Sequence, residues 1–261
     1  MSRISEVFAK LKSKGRGGFI PFITAGDPDL SVTEKLLCEL ARAGADIIEV
    51  GVPFSDPVAD GPVIQRASER ALGRGTTIRS VLDCIAAVKQ QVDLPIVLFS
   101  YYNPLLQFGL ERLATAASRA GVDAILVTDL IPEEAGIWTP ILAANNLDPI
   151  FLVAPTTSGD RLKLIAQAAR GFVYAVSRTG VTGARDDINE SAESLVRRIR
   201  DLASLPIAVG FGISTSAQVR EVWGYADAAV VGSAIVNEID RLSGDHDLVR
   251  KVGQFARGLT L

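Results

Sequence analysis

One histidine, seven lysines and two cysteines are all that 261 residues supply of the side chains most used for metal binding, Schiff-base chemistry and disulfide formation. His246 lies in a polar segment near the end of the chain, which excludes a Ser-His-Asp triad and argues against a His-ligated metal, so no metal site is expected. None of the seven lysines falls at the end of an expected strand, which leaves a Schiff base unsupported. Cys38 and Cys84 form no CxxC pattern and read as structural thiols of a reducing compartment. Beyond Lys10–Lys14 there is no basic cluster, and the net charge is −3, so nucleic acid is an unlikely partner on charge alone. No apolar run is long enough to span a bilayer, and MSRISEVFAKLKSKG is amphipathic without the continuous apolar core of a signal peptide. These absences favour a cytoplasmic protein (the plastid stroma for a processed plant chain) without membrane contact.

What is present repeats. AGADIIEV (43–50) matches AGVDAILV (120–127), with YADAAVVG (225–232) as a weaker third copy. A second type of strand opening recurs as LPIVLF (94–99), LDPIFLV (147–153) and LPIAVG (205–210). The runs 19–24 and 172–176 complete eight apolar strands of the kind covered on both faces. Amphipathic helical patterns fall between them, at 31–43, 78–90, 109–120, 133–144, 159–169, 190–203 and 214–223. Eight strands alternating with helices predict a (β/α)8 TIM barrel over 1–261, one domain with an extra N-terminal helix whose apolar side is Ile4, Val7, Phe8 and Leu11. A doubly wound sheet is the runner-up, but no GxGxxG follows the first strand.

In such barrels the chemistry sits where strands end. That rule selects Glu49, inside the stretch EVGVPFSDPVADGP (49–62). A barrel strand is covered on both faces, so Glu49 is buried whichever way it points, either in a structural ion pair or as a general acid/base with a raised pKa; strand-end placement favours the second. Asp56-Pro57 reads as a turn with a locally bonded carboxylate. Asp60 is either the N-cap of a helix beginning near Val63 or a second carboxylate in a wetter setting than Glu49. After the last strands, Gly212, Gly232 and Ser233, with the glycine-rich loop SRTGVTGAR (177–185), suit a phosphate. The aromatics Phe22, Tyr101, Tyr102, Tyr174 and Phe211 are either barrel core or the walls of a site for a flat substrate.

The segment IIEVGVPFSDPVADGPVIQ (47–65) closely resembles the signature of the tryptophan synthase alpha chain family, and PFITAGDP (21–28), SRTGVTG (177–183), GFGIS (210–214) and VVGSAIV (230–236) follow in that family's order. The resemblance covers essentially the full length. It implies retro-aldol cleavage of indole-3-glycerol phosphate to indole and glyceraldehyde 3-phosphate, with Glu49 moving protons and Asp60 bonding the indole N–H. By the same resemblance, phosphate contacts fall on Gly183, Gly212, Gly232 and Ser233. The indole pocket falls on Phe22, Tyr101, Asp129, Tyr174, Thr182 and Phe211, with the 177–189 loop as a lid. The expected partner is a beta chain in an α2β2 complex, with pyridoxal phosphate (PLP) on that chain and no cofactor on this one. Pro53–Pro57 and Asn103–Leu106 would form the docking surface, unless those loops pack on themselves. A stand-alone indole-releasing lyase is the alternative. A catalytically silent activator or a phosphosugar epimerase fits less well, since both carboxylates and the phosphate glycines are present and metal-binding histidines are not.

Overall fold

The computed structural model describes residues 2–176, 188–210 and 212–261. The strands are β1 (Gly18–Thr24), β2 (Ile48–Gly51), β3 (Ile96–Ser100), β4 (Ala124–Val127), β5 (Asp148–Ile150), β6 (Leu152–Val153), β7 (Val173–Val176), β8 (Ile207–Gly210) and β9 (Ala228–Val231). All pair in parallel, in the order β5-β4-β3-β2-β1-β9-β8-β7-β6. The two ends of that order are one extended stretch of chain. Residues 148–150 pair with β4, residues 152–153 pair with β7, and the change of neighbour falls at Phe151. The ring therefore closes, and the nine segments are the eight expected strands with the fifth divided at the point of closure. This is the expected TIM barrel.

Side chains alternate as the pleat requires. Ile20, Phe22, Ile47, Val97, Phe99, Leu126, Phe172 and Val230 fill the interior, whereas Ile23, Ile48, Val50, Leu98 and Ile125 meet the surrounding helices. The expected N-terminal helix forms over Arg3–Ser13, capped by Ser2, and its Ile4, Phe8 and Leu11 join the interior cluster. Phe8 packs on Phe172 with ring centroids 5.7 Å apart, so the helix stoppers the amino-terminal mouth.

Helix boundaries follow local chemistry. Gly121 ends Leu110–Ala120 in the left-handed conformation (φ 86°), as its place in the repeat requires. Two expectations shift. The 133–144 helix starts only at Trp138, because 131–135 forms successive turns (Glu134 N–H to Ile131 O, Ala135 N–H to Pro132 O). The segment 102–108, read as loop, is a short helix with Leu105 fully buried beneath it and Leu106 exposed.

Replacing Phe8 by Ala removes a buried ring from the stopper and should lower stability by about 3–5 kcal/mol, measured by urea unfolding. Turnover per folded molecule should stay near wild type, because the change lies at the mouth opposite the strand ends.

Candidate active site

Glu49 lies in β2, with Phe22 of β1 and Val97 of β3 as its register partners. It shares the inward parity of Ile47 and is 0% exposed. Among the described residues neither carboxylate oxygen has a hydrogen-bond partner, so the ion-pair reading finds no support there. Burial alone pushes its pKa from 4.5 to about 8. At neutral pH the group is therefore mainly a neutral acid, able to give a proton and take one back.

Asp60 is 6% exposed at the end of the loop that follows β2. The helix beyond it spans Pro62–Gly73; its N-cap is Gly61, without a side-chain cap bond, so the N-cap reading of Asp60 does not hold. The loop is secured through its backbone instead. Asp60 N–H donates to Pro57 O (3.0 Å), and Gln65 Nε2 donates to Asp60 O (2.9 Å). Burial raises the Asp60 carboxyl to about 6, and a hydrogen bond from Tyr101 opposes the rise. Tyr101 also accepts the Ala59 N–H (3.0 Å) and stacks on Phe54 at 5.2 Å. Asp56 is exposed; its carboxylate accepts the Ser55 hydroxyl at 2.5 Å and not the local N–H groups expected, while Val58 N–H donates to its backbone O (2.9 Å).

Asp60 and Tyr101 face a small cleft whose other walls include Phe22, Phe99, Thr24, Ser68, Ser100 and Ile64. Phe22 and Phe99 meet edge to face, 5.2 Å between centroids. Tyr174 is buried, and burial together with the charges of Glu49 and Asp60 raises its hydroxyl pKa well above 10, so it stands near both carboxyls. Its ring crosses β8 at Gly210, where a Cβ would come 2.1 Å from the Tyr174 hydroxyl. Of the paired tyrosines, Tyr101 faces the cleft; Tyr102 starts the short helix, and its N–H donates to Asp129 at 2.7 Å. Asp129 is exposed just past the end of β4 and is not among the residues that line this cleft.

Gly212 and Gly232 follow the neighbouring strands β8 and β9 at the same mouth. Gly212 has φ +82°, a conformation that disfavours any side chain, with open space around it. Gly232 caps the helix Ser233–Arg241 without a side-chain bond; Ile235 N–H donates to Gly232 O (2.9 Å), and the N–H groups before it are the ones a helix start can offer an anion. Thr182, Gly183 and Phe211 lie outside the described residues, as does most of the 177–189 loop. His246 is almost fully exposed ahead of the last helix, Leu248–Gly258. No cluster of three or more potential metal ligands occurs among the described residues.

Of three cleft hydroxyls, the strand-end rule selects Thr24 from sequence, whereas Ser68 and Ser100 were not singled out. Thr24 ends β1 and so satisfied the strand-end rule; its buried Oγ1 has no partner among the described residues. Ser68 follows Ile64 by one helical turn, and both line the cleft, a spacing that becomes informative only once the helix is known to lie over the mouth. Ser100 is buried at the end of β3.

Comparison with known proteins agrees with this geometry. The sequence model of the tryptophan synthase alpha chain matches residues 8–260. The chain belongs to the tryptophan synthase alpha chain family. The family's protein from Geobacter sulfurreducens is 51% identical over 259 residues, covering 99% of this chain and 98% of that one. The solved tryptophan synthase alpha chain of Legionella pneumophila superposes with a TM-score of 0.91 at 34% identity, over 100% of this chain and 96% of that one. A Mycobacterium tuberculosis tryptophan synthase structure gives 0.90 at 38% identity, over 100% and 99%. Membership of the tryptophan synthase alpha chain family makes this a lyase-type enzyme of tryptophan biosynthesis. No helix among the described residues is long and apolar enough to cross a membrane.

The raised pKa of Glu49 has a stability consequence. Folding favours its protonated form, so the contribution is full below pH 4.5 and is lost as pH rises through about 8. The loss is on the order of 5 kcal/mol. Asp60 acts in the same direction but only up to about pH 6. Urea unfolding between pH 6.5 and 8.5 should therefore show falling stability in the wild type and a flatter profile in Glu49→Gln.

Proposed function

We propose that this chain cleaves indole-3-glycerol phosphate to indole and glyceraldehyde 3-phosphate. The observation that carries the proposal is the fully buried Glu49 carboxyl, without a hydrogen-bond partner among the described residues and held near neutrality in pKa, with a second buried carboxyl of lower pKa, Asp60, on the loop that follows the same strand. Breaking the bond between indole C3 and the side chain requires an acceptor for its electron pair. Protonation of C3 by neutral Glu49 turns the ring into that acceptor, with positive charge developing at the ring nitrogen. Asp60, ionised, accepts the N–H hydrogen bond and stabilises that charge. The Glu49 carboxylate left behind removes the proton from the adjacent side-chain hydroxyl. The C–C bond then breaks, its electrons restore neutral indole, and the hydroxyl carbon leaves as the aldehyde. Every proton and electron pair is accounted for without a cofactor on this chain.

Phe22, Tyr101 and Tyr174 would hold the ring, and Gly212, Gly232 and Ser233, together with Gly183, the phosphate. Asp129, Thr182 and Phe211 are retained as proposed pocket residues. The chain would act as the alpha subunit of an α2β2 complex in the cytoplasm, with PLP on the beta chain. Val58, 81% exposed on the Asp60 loop, and Leu106 give the docking face apolar character; Phe54 and Leu105 pack inward and contribute less.

The active form needs Asp60 ionised and Glu49 protonated, so kcat/KM should rise through about pH 6 and fall through about pH 8. Glu49→Gln should cost at least 10³-fold in kcat, and Asp60→Asn a smaller but large factor while abolishing the acidic limb. Steady-state assays of cleavage, with and without a beta chain, check both points. Strong activation by the beta chain supports the subunit role; fast turnover alone points to a stand-alone indole-releasing lyase; Glu49→Gln with normal turnover overturns the proton-carrier assignment.

A further inference from the structure

Besides the N-terminal helix and the short helix 102–108, two helices stand outside the strand–helix alternation. Pro62–Gly73 precedes a second helix, Ile78–Lys89, before β3; Ser233–Arg241 precedes the last helix, Leu248–Gly258. The two extra helices pack against each other and against β1. One begins two residues after Asp60, to which Gln65 binds it; the other begins at Gly232-Ser233. The turn after the first also lies on the β1 loop, because a Cβ at Gly26 would come 2.1 Å from Thr76 Oγ1.

Arg70 joins all three parts. Its Nε and Nη2 each donate to the Asp27 carboxylate at 2.8 Å, and Nη1 lies 3.0 Å from Asp240 Oδ1. Asp27 belongs to the β1 loop and is 2% exposed; Asp240 lies near the end of Ser233–Arg241. A planar guanidinium can grip one carboxylate at two points while reaching a second, which a lysine cannot do. We propose that Arg70 is a positioning residue that fixes the separation between Asp60 and the helix end at Gly232-Ser233. A substrate anchored there by its phosphate then meets Asp60 with its ring. The inference rests on the proposed function for the identity of the two ends.

Asp240→Asn cuts only the half-exposed arm of the strut, and Arg70→Lys removes the two-point grip while keeping the charge. Each should lower kcat for indole-3-glycerol phosphate about tenfold with little change in Tm, since small misplacements of reacting groups are costly. Binding separates positioning from damage. A two-ended probe, 3-(indol-3-yl)propyl phosphate, should lose about tenfold in affinity, while glycerol 3-phosphate, which engages only the phosphate end, should bind as in the wild type. A lowered Tm with kcat and two-ended affinity unchanged would reduce Arg70 to a structural clamp, and equal losses for both probes would also overturn the strut. A wild type that binds both probes but does not turn over would sink the functional reading alone, because the probe comparison still measures the strut.

Discussion

A carboxyl group lying in a barrel interior with no hydrogen-bond partner among the described residues is tolerable only as the neutral acid, and the proposed chemistry rests on that constraint. Glu49 gains its acidity range from position alone: the inward parity of β2 and the apolar packing of Ile47, Phe22 and Val97 around it. A single nearby cation would return it to an ordinary carboxylate. The lysines stand away from every strand end, and Arg70, on the helix that follows Asp60, is engaged by Asp27 and Asp240. Asp60 occupies a slightly wetter position and keeps a lower pKa, with Tyr101 holding down part of the rise. Two side chains of one chemical type thus reach two protonation states at one pH.

The barrel was legible because its signal is repeated. Apolar strands of similar length, prolines at strand starts and glycines at helix ends recur along the chain, and an error at one element does not mislead the rest. Glu49 was legible for a related reason: a charged residue in a continuous apolar strand is conspicuous wherever it points. Asp60 was not separable from an N-cap in sequence, because Asp-Gly-Pro before a helix fits both roles; only the cap at Gly61 resolves it. The short helix 102–108 was hidden by Asn103-Pro104, which reads as a loop although proline is well suited to a helix's first turn.

What sequence could not convey was where the added helices lie. Their amphipathic patterns resemble those of the barrel helices, yet both pack on β1, and they begin beside the residues proposed to meet substrate. Ser68 and Arg70 acquire meaning only from that placement. Neither residue type nor spacing distinguishes them from surface residues of an ordinary amphipathic helix, whereas the contacts to the cleft and to Asp27 do so at once.

The helix Arg3–Ser13 that stoppers the opposite end has a consequence for traffic. With Ile4, Phe8 and Leu11 filling the lower opening, the barrel is a cup and not a tube. Whatever reacts above Glu49 must arrive and depart by the same rim, one molecule at a time. A surface that covers the rim would therefore control entry and exit together, and a small apolar product could leave only toward whatever covers it.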